Sequence, residues 1–112
     1  MKRAGILAIL IGLMAVPLTF AADAASTASA GEATFKAKCT MCHGADGSAK
    51  TLMGEKLKIR DMHSDEVQKQ SDTELTGTIT NGRGKMAPYK GKLTAEQIAQ
   101  VVSYIRELGK KK

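Results

Sequence analysis

The sequence predicts an all-α fold in which three to four short helices pack around a core that is partly non-protein. Capping boxes at residues 71–74 and 94–97 mark two helix starts, because a Ser or Thr is followed three residues later by Glu or Gln. No segment shows the convincing alternation of a strand. Aromatic residues make up only 4% of the chain. So small a domain therefore needs core volume from another source.

The first predicted helix covers residues 31–42, with Phe35 and Cys39 four positions apart on one face. Glycines at 44 and 47 interrupt it. Residues 49–61 show no clean period, so we expect irregular structure wrapped over something apolar. Such long connections are unusual in a small domain unless they pack against a non-protein group. The apolar residues expected to face this group in the segment are Leu52, Leu57 and Ile59.

Three further helical segments are predicted in the second half of the chain. Residues 64–67 form a candidate short turn, and the next helix follows Ser71 and ends at Asn81 and Gly82. The last helix follows the second capping box and ends with Gly109 as its C′ residue. Its apolar stripe has the period of an amphipathic helix. The stripe consists of Ile98, Val101, Val102, Ile105 and Leu108.

The amino terminus has the pattern of a secretory signal peptide. Lys2 and Arg3 precede 13 apolar residues, and small residues around Ala21 and Ala24 offer cleavage sites. The alternative is that the apolar stretch is retained as a membrane anchor. With cleavage, the mature protein would have no integral membrane span and would be periplasmic. The predicted organisation is a signal peptide over 1–24, a flexible leader over 25–30, and one domain over 31–112.

The charge of the chain favours acidic partners. Its 17 Lys and Arg exceed its 11 Asp and Glu, which gives a formal net charge of +6. A basic surface speeds encounter with acidic proteins or anionic surfaces. We expect no binding to nucleic acid, because the protein is predicted to be exported and has no basic helix interleaved with aromatic residues.

The chemistry of the chain is concentrated in the motif Cys39-Thr40-Met41-Cys42-His43, which contains both cysteines. C-x-x-C-H is the signature of covalent attachment of c-type haem. Two thiols about one helical turn apart can reach the two vinyl groups, and the histidine can then serve as the proximal iron ligand. A redox dithiol would require a βαβ context that is missing, and a zinc site would require a second pair of ligands.

Two parts of the sequence resemble the small bacterial class I cytochromes c. Residues 31–47 resemble the opening helix and haem motif of that family, and residues 79–108 resemble its closing half. The resemblance implies a cytochrome c-like fold around one covalently bound haem c, and the role of a one-electron carrier. The residues that carry the first match are Phe35, Cys39, Cys42, His43, Gly44, Asp46 and Gly47.

The C-x-x-C-H motif does not identify the second, distal ligand of the iron. The family's distal methionine lies in a loop shortly before the last helix, and Met86 matches that position. The chain departs from many relatives because Ala87 separates Met86 from Pro88. His63 is the alternative, although the acidic residues around it suggest an exposed turn. The other candidates are Met53 and Met62.

A His and Met pair would fill both axial positions, which suits a non-enzymatic carrier. Two alternatives remain: a fixed haem c subunit of a larger respiratory complex, and a peroxide- or gas-reactive haem protein with a displaceable distal ligand. The expected partners are redox proteins that dock near the exposed haem edge. The lysines expected there are Lys36, Lys38, Lys50, Lys85 and Lys90, and the candidate partners of the haem propionates are Arg83 and Lys56.

Overall fold

The computed structural model describes residues 23–111 together with the isolated positions 12, 14 and 15. Over these residues there are six helices and no strand. The predicted all-α class is confirmed, and the helix number exceeds the expected three to four because three segments are single turns of four or five residues. The helices are α1 (Asp23–Lys38), α2 (Thr40–His43), α3 (Leu52–Lys56), α4 (Asp65–Gln68), α5 (Asp72–Asn81) and α6 (Ala95–Lys110).

Helix α1 begins earlier than the sequence pattern indicated. Residues 25–30, expected as a flexible leader, belong to this helix. The segment is rich in alanine, which has the highest helix propensity, and the Ala28 side chain is buried. The predicted signal peptide over 1–24 lies, except for a few positions, outside the described residues. In the described part, every helix is too short or too polar to cross a bilayer.

The contact between α1 and α6 is the main packing interaction of the fold. The backbones approach so closely at Gly31 that a Cβ there would lie 1.9 Å from the carbonyl oxygen of Gln100. One turn later, Phe35 is completely buried and meets the Tyr104 ring edge-on at a centroid distance of 5.2 Å. The predicted stripe of α6 is buried, as expected of its core face.

Helix α6 does not end where the sequence suggested. Gly109 was expected as the C′ residue, but the helix continues to Lys110. The glycine instead leaves room for a neighbour, because a Cβ at this position would lie 2.3 Å from Cδ of Gln68. The Gln68 amide nitrogen donates hydrogen bonds to the carbonyls of Met62 at 2.6 Å and Ile105 at 3.0 Å. A contact distant in sequence therefore explains this glycine.

Arg106 joins α6 to the start of α5, an interaction that the sequence pattern did not reveal. Its guanidinium donates to the Gln68 carbonyl at 2.7 Å, to the Gln70 carbonyl, and to Oδ1 of Asp72 at 2.9 Å. These carbonyls lie where α4 ends and the chain turns into α5. One side chain thus satisfies backbone acceptors that a short helix leaves unpaired.

Side-chain caps set the starts of the later helices. Both predicted capping boxes form, with Ser71 and Glu74 at α5 and with Thr94 and Gln97 at α6. Thr51 caps α3 by accepting from the Gly54 amide at 2.8 Å. The Thr51 hydroxyl also donates to the Cys42 carbonyl at 2.8 Å, so α3 is attached directly to the turn that contains the C-x-x-C-H motif.

Residues 49–61 contain the five-residue helix α3 where irregular structure was expected. Leu52 was expected to face the apolar core, but it is 84% exposed because it lies on the outer side of α3. The helix ends in a Schellman arrangement, in which the Ile59 amide donates to the Gly54 carbonyl at 2.9 Å. The C′ residue of this arrangement is Lys58, with a left-handed φ of 53°.

The loop before α6 is tied to two helices by Tyr89. Its amide donates to the Ile79 carbonyl of α5 at 3.0 Å. Its hydroxyl donates to the Lys38 carbonyl at the end of α1, at 2.9 Å. The structure shows that it connects the loop to the helix that leads into Cys39.

We predict that Gly31→Ala will destabilise the haem-loaded protein, because the added methyl group would overlap the Gln100 carbonyl. The expected loss in the free energy of unfolding is about 1–3 kcal/mol, the usual range for overpacking. Urea unfolding followed by circular dichroism measures it. Gly77→Ala on α5 is the control, since a Cβ there meets nothing within 4 Å. That variant should gain roughly 0.5–1 kcal/mol from helix propensity. Equal effects of the two changes would contradict the close helix contact.

We predict that Tyr89→Phe will lower the free energy of unfolding by about 1 kcal/mol, the usual contribution of one hydrogen bond. Thermal or urea unfolding of the holoprotein is the measurement. Tyr104→Phe removes a hydroxyl that makes no hydrogen bond among the described residues, and it should be close to neutral. If the two variants unfold alike, the bond to the Lys38 carbonyl does not stabilise the loop.

Candidate cofactor site

A cavity of about 650 Å³ lies between the helices and is lined mainly by apolar side chains. Its walls come from the end of α1, from α2, from residues 57–62, from α5 and from the loop at 83–89. The site residues predicted from the sequence, Cys39, Cys42, His43 and Met86, all line it. The apolar residues that complete the wall are Leu57, Ile59, Met62, Val67, Leu75, Ile79 and Ile105.

The C-x-x-C-H motif occupies a single turn that follows directly on α1. The amides of Cys42 and His43 both donate to the Cys39 carbonyl, at 3.3 and 2.9 Å. The turn ends at Gly44, whose φ of 79° favours glycine. This geometry presents both sulfurs and the imidazole to one cavity. Met41, between the cysteines, is 80% exposed at the cavity edge.

The two cysteines do not form a disulfide with each other, and both are half-buried. Burial, with a smaller contribution from Cys42, raises the pKa of the Cys39 thiol to about 11. A redox-active dithiol would need the opposite shift, because the thiolate is the attacking species. No cluster of three or more His, Cys, Asp or Glu side chains suited to a metal ion occurs among the described residues. The raised pKa of Cys39 therefore argues against a redox dithiol, and the described residues offer no ligand set for zinc.

His43 is in the state that a metal ligand requires. Burial lowers its pKa, which favours the neutral imidazole. Its Nδ1 is buried and has no hydrogen-bond partner among the described residues. The ring packs against Phe35 with a centroid distance of 6.2 Å. A neutral imidazole held in place beside a cavity fits the proximal ligand of a haem iron.

Met86 is held at the cavity by a tight turn. The amide of Arg83 donates to the Met86 carbonyl at 3.1 Å, and the amide of Met86 donates to the Arg83 carbonyl at 2.9 Å. Gly82 allows this approach, because a Cβ there would lie 2.6 Å from the Met86 carbonyl oxygen. Ala87, which separates Met86 from Pro88, does not prevent the thioether from lining the cavity.

Of the other candidate distal ligands, the structure brings only Met62 to the cavity. Met62 is buried, and its amide donates to the Gly47 carbonyl at 2.9 Å. Neither Met53 nor His63 is among the described residues that line the cavity. The His63 ring is engaged elsewhere, with Nδ1 2.6 Å from Oδ1 of Asp61. Both Met86 and Met62 therefore have access to a group bound there.

The charges around the cavity suit a group with carboxylates. Its lining includes five basic residues and, among the described residues, no acidic one. Haem carries propionate carboxylates, which would meet complementary charge at this wall. Of the two propionate partners suggested by the sequence, Arg83 lines the cavity and Lys56 does not. The basic lining residues are Lys38, Lys58, Arg60, Arg83 and Lys85.

Comparisons with known proteins find c-type cytochromes. Residues 26–105 match the family model described as "Cytochrome C oxidase, cbb3-type, subunit III". The chain is 32% identical to cytochrome c6 of Picosynechococcus sp., over 91% of this chain and 92% of that protein. It is 37% identical to cytochrome c6 of Aphanizomenon flos-aquae, over 69% of this chain and 85% of that protein.

A solved structure supports the fold directly. The KustC0563 c-type cytochrome is 35% identical to this chain and superimposes with a TM-score of 0.65, covering 70% of this chain and 95% of that one. The apolar cavity, its basic wall and the C-x-x-C-H turn fit the covalently bound iron porphyrin that such proteins carry. The chain thus belongs to the c-type cytochromes, and it is a small class I, mono-haem electron-carrier member that contains haem c.

Proposed function

We propose that Cys39 and Cys42 form the two thioether bonds to haem c, and that His43 and Met86 are its axial ligands. The observation that carries this proposal is the single cavity that all four side chains line. Burial lowers the pKa of His43, and its Nδ1 has no hydrogen-bond partner among the described residues; both observations support its role as proximal ligand. The tight turn at 83–86 supports Met86 over Met62, because it holds a partly exposed thioether at the cavity, whereas Met62 is part of the buried core.

The protein is an electron carrier and not an enzyme in this proposal. When bound, haem iron supplies a reversible one-electron change. His43 and Met86 would together hold the iron from both sides, which would leave no position for oxygen or peroxide. A thioether ligand from Met86 would favour the reduced iron and raise the potential. The surrounding apolar side chains keep water away, which limits the reorganisation that accompanies electron transfer.

Redox partners with acidic docking surfaces fit the basic residues at the cavity mouth. Lys38 and Lys85 are exposed there and have no ion-pair partner among the described residues. Opposite charge would steer a partner toward the cavity edge, where the exposed Met41 offers an apolar contact. Of the other lysines expected for docking, Lys36 is paired with Glu32 at 2.7 Å. We therefore propose that redox partners dock at the mouth of the cavity.

Export to the periplasm is the second part of the proposal, with the signal peptide cleaved after Ala21 or Ala24. The basic start, the apolar run and the small residues of the sequence support it. The alternative of a fixed subunit is favoured by one observation, the match to a family model named for a subunit of a cbb3-type oxidase. In that case the apolar stretch would be retained as an anchor.

We predict that protein from the periplasmic fraction of its host will begin at Ala22 or Ala25 and will have the peptide mass plus one haem. Amino-terminal sequencing and intact mass spectrometry measure both features. A double change, Cys39→Ser with Cys42→Ser, should remove the added mass. The bare peptide mass in the unchanged protein would exclude covalent attachment. A membrane-bound chain with an intact amino terminus would favour the subunit alternative.

We predict that Met86→Leu will abolish the low-spin absorption spectrum and allow the ferrous protein to bind carbon monoxide. Leucine keeps the volume but lacks the sulfur ligand, so the iron loses its distal partner. Absorption spectra of both oxidation states, with and without carbon monoxide, are the measurement. The unchanged protein should show no reaction with carbon monoxide at neutral pH.

Two matched variants identify the ligand. Met62→Leu makes the same chemical change in another methionine that lines the cavity, and it should leave the spectrum unchanged. His63→Ala should also leave it unchanged, since this histidine does not line the cavity. A low-spin spectrum that survives Met86→Leu but not Met62→Leu would transfer the distal role to Met62. Rapid carbon monoxide binding by the unchanged protein would favour the gas-reactive alternative.

A further inference from the structure

Lys58 has a backbone conformation that glycine would adopt more easily. It is the C′ residue of α3, where the Schellman hydrogen bond from the Ile59 amide to the Gly54 carbonyl requires a left-handed conformation. Glycine has no Cβ penalty at such a position, whereas lysine has one. Five glycines of the described chain adopt positive φ, and only Ala49 and Lys58 do so with a side chain. Backbone strain of this kind persists where the surrounding structure holds it, and it concentrates at ligand sites.

The Lys58 side chain belongs to the wall of the cofactor cavity, and its charge is not neutralised within the described chain. Arg60, two residues later on the same wall, has a partner in Glu66, with Nε 3.2 Å from Oε1. Lys58 has no such ion pair or side-chain hydrogen bond with any residue that the structure describes. Lys58 therefore combines a strained backbone with an ammonium group that has no partner among the described residues. Because it lines an apolar cavity, an anion bound there could form an ion pair with it.

The chemistry of haem limits which lysine can serve its propionates. The vinyl groups that react with cysteines and the propionates lie on opposite halves of the porphyrin. Lys38 precedes Cys39 directly and so belongs to the thioether side. Lys85 is part of the turn that holds Met86. Lys58 comes from a different wall, formed by residues 57–62, which carries neither the proposed thioethers nor the proposed axial ligands.

We propose that the Lys58 ammonium group forms an ion pair with a haem propionate and so raises the reduction potential of the iron. This inference depends on the haem being bound as proposed above. A cation beside a propionate cancels its negative charge, and that charge would otherwise favour the oxidised, more positive iron. The side chain replaces the glycine that the backbone favours, and it supplies a charge opposite to that of a propionate.

The first test uses a water-soluble carbodiimide on the holoprotein. The reagent activates a carboxylate, and an amine in contact with it then displaces the activated group to form an amide, with net loss of water and conversion of the carbodiimide to a urea. Digestion and mass spectrometry should find the haem-bearing peptide that contains Cys39 and Cys42 joined to the peptide that contains Lys58. Lys58→Arg keeps the charge but should lose this product.

The second test is the midpoint potential of matched holoprotein variants. Lys58→Gly removes the charge and relieves the backbone, so the protein should remain folded while its potential falls. Lys58→Arg should retain a potential near that of the unchanged protein. Lys56→Gln removes a lysine two positions away that does not line the cavity, and it should leave the potential unchanged. Unfolding in urea checks that Lys58→Gly is not less stable.

Two results would overturn the inference. One is coupling at Lys38 or Lys85 and not at Lys58. The other is an unchanged potential in Lys58→Gly with the haem covalently in place. A slower, salt-dependent reaction with an acidic redox partner at an unchanged potential would assign Lys58 to docking instead. Failure of the proposed function is distinguishable, because it would appear in the unchanged protein as missing haem mass or an altered spectrum.

Discussion

The close approach of α1 and α6 is the constraint on which the rest of the structure depends. Gly31 permits backbone contact with Gln100, and the buried Phe35 then packs edge-on against Tyr104. Because α1 leads directly into Cys39, this contact fixes where the C-x-x-C-H turn begins. The same helix α6 contributes Ile105 to the wall of the cavity. The position of the cofactor site thus follows from one helix packing interaction.

The cavity explains how so small a domain with few aromatic residues has a core. Apolar side chains such as Leu75, Ile79 and Val67 are shared between the protein core and the cavity wall. A porphyrin bound there would bury their exposed faces and supply the volume that aromatic side chains supply in other proteins. The basic residues at the wall suit the carboxylates of the same group. The apolar side chains and the basic residues of the cavity wall are therefore both suited to a haem.

Features with a local cause were predictable from the sequence. Ser71 and Thr94 cap their helices through contacts three residues away, and the C-x-x-C-H motif lies within one turn. Features that depend on distant contacts were not predictable. From the sequence, Gly109 was interpreted as a helix end. Its actual role depends on its contact with Gln68, which is far away in the sequence. The exposure of Leu52 likewise depends on how α3 is attached to the motif.

The hydrogen bonds of Gln68 and Arg106 make the segment from Met62 to Asp72 dependent on a helix more than thirty residues further along the chain. The single turn α4 lies within this segment. Undocking of α6 would release these carbonyls and this turn together, as one cooperative unit. Under native conditions the amide hydrogens of this segment should therefore exchange with solvent deuterium with a common protection factor, set by the free energy of undocking α6.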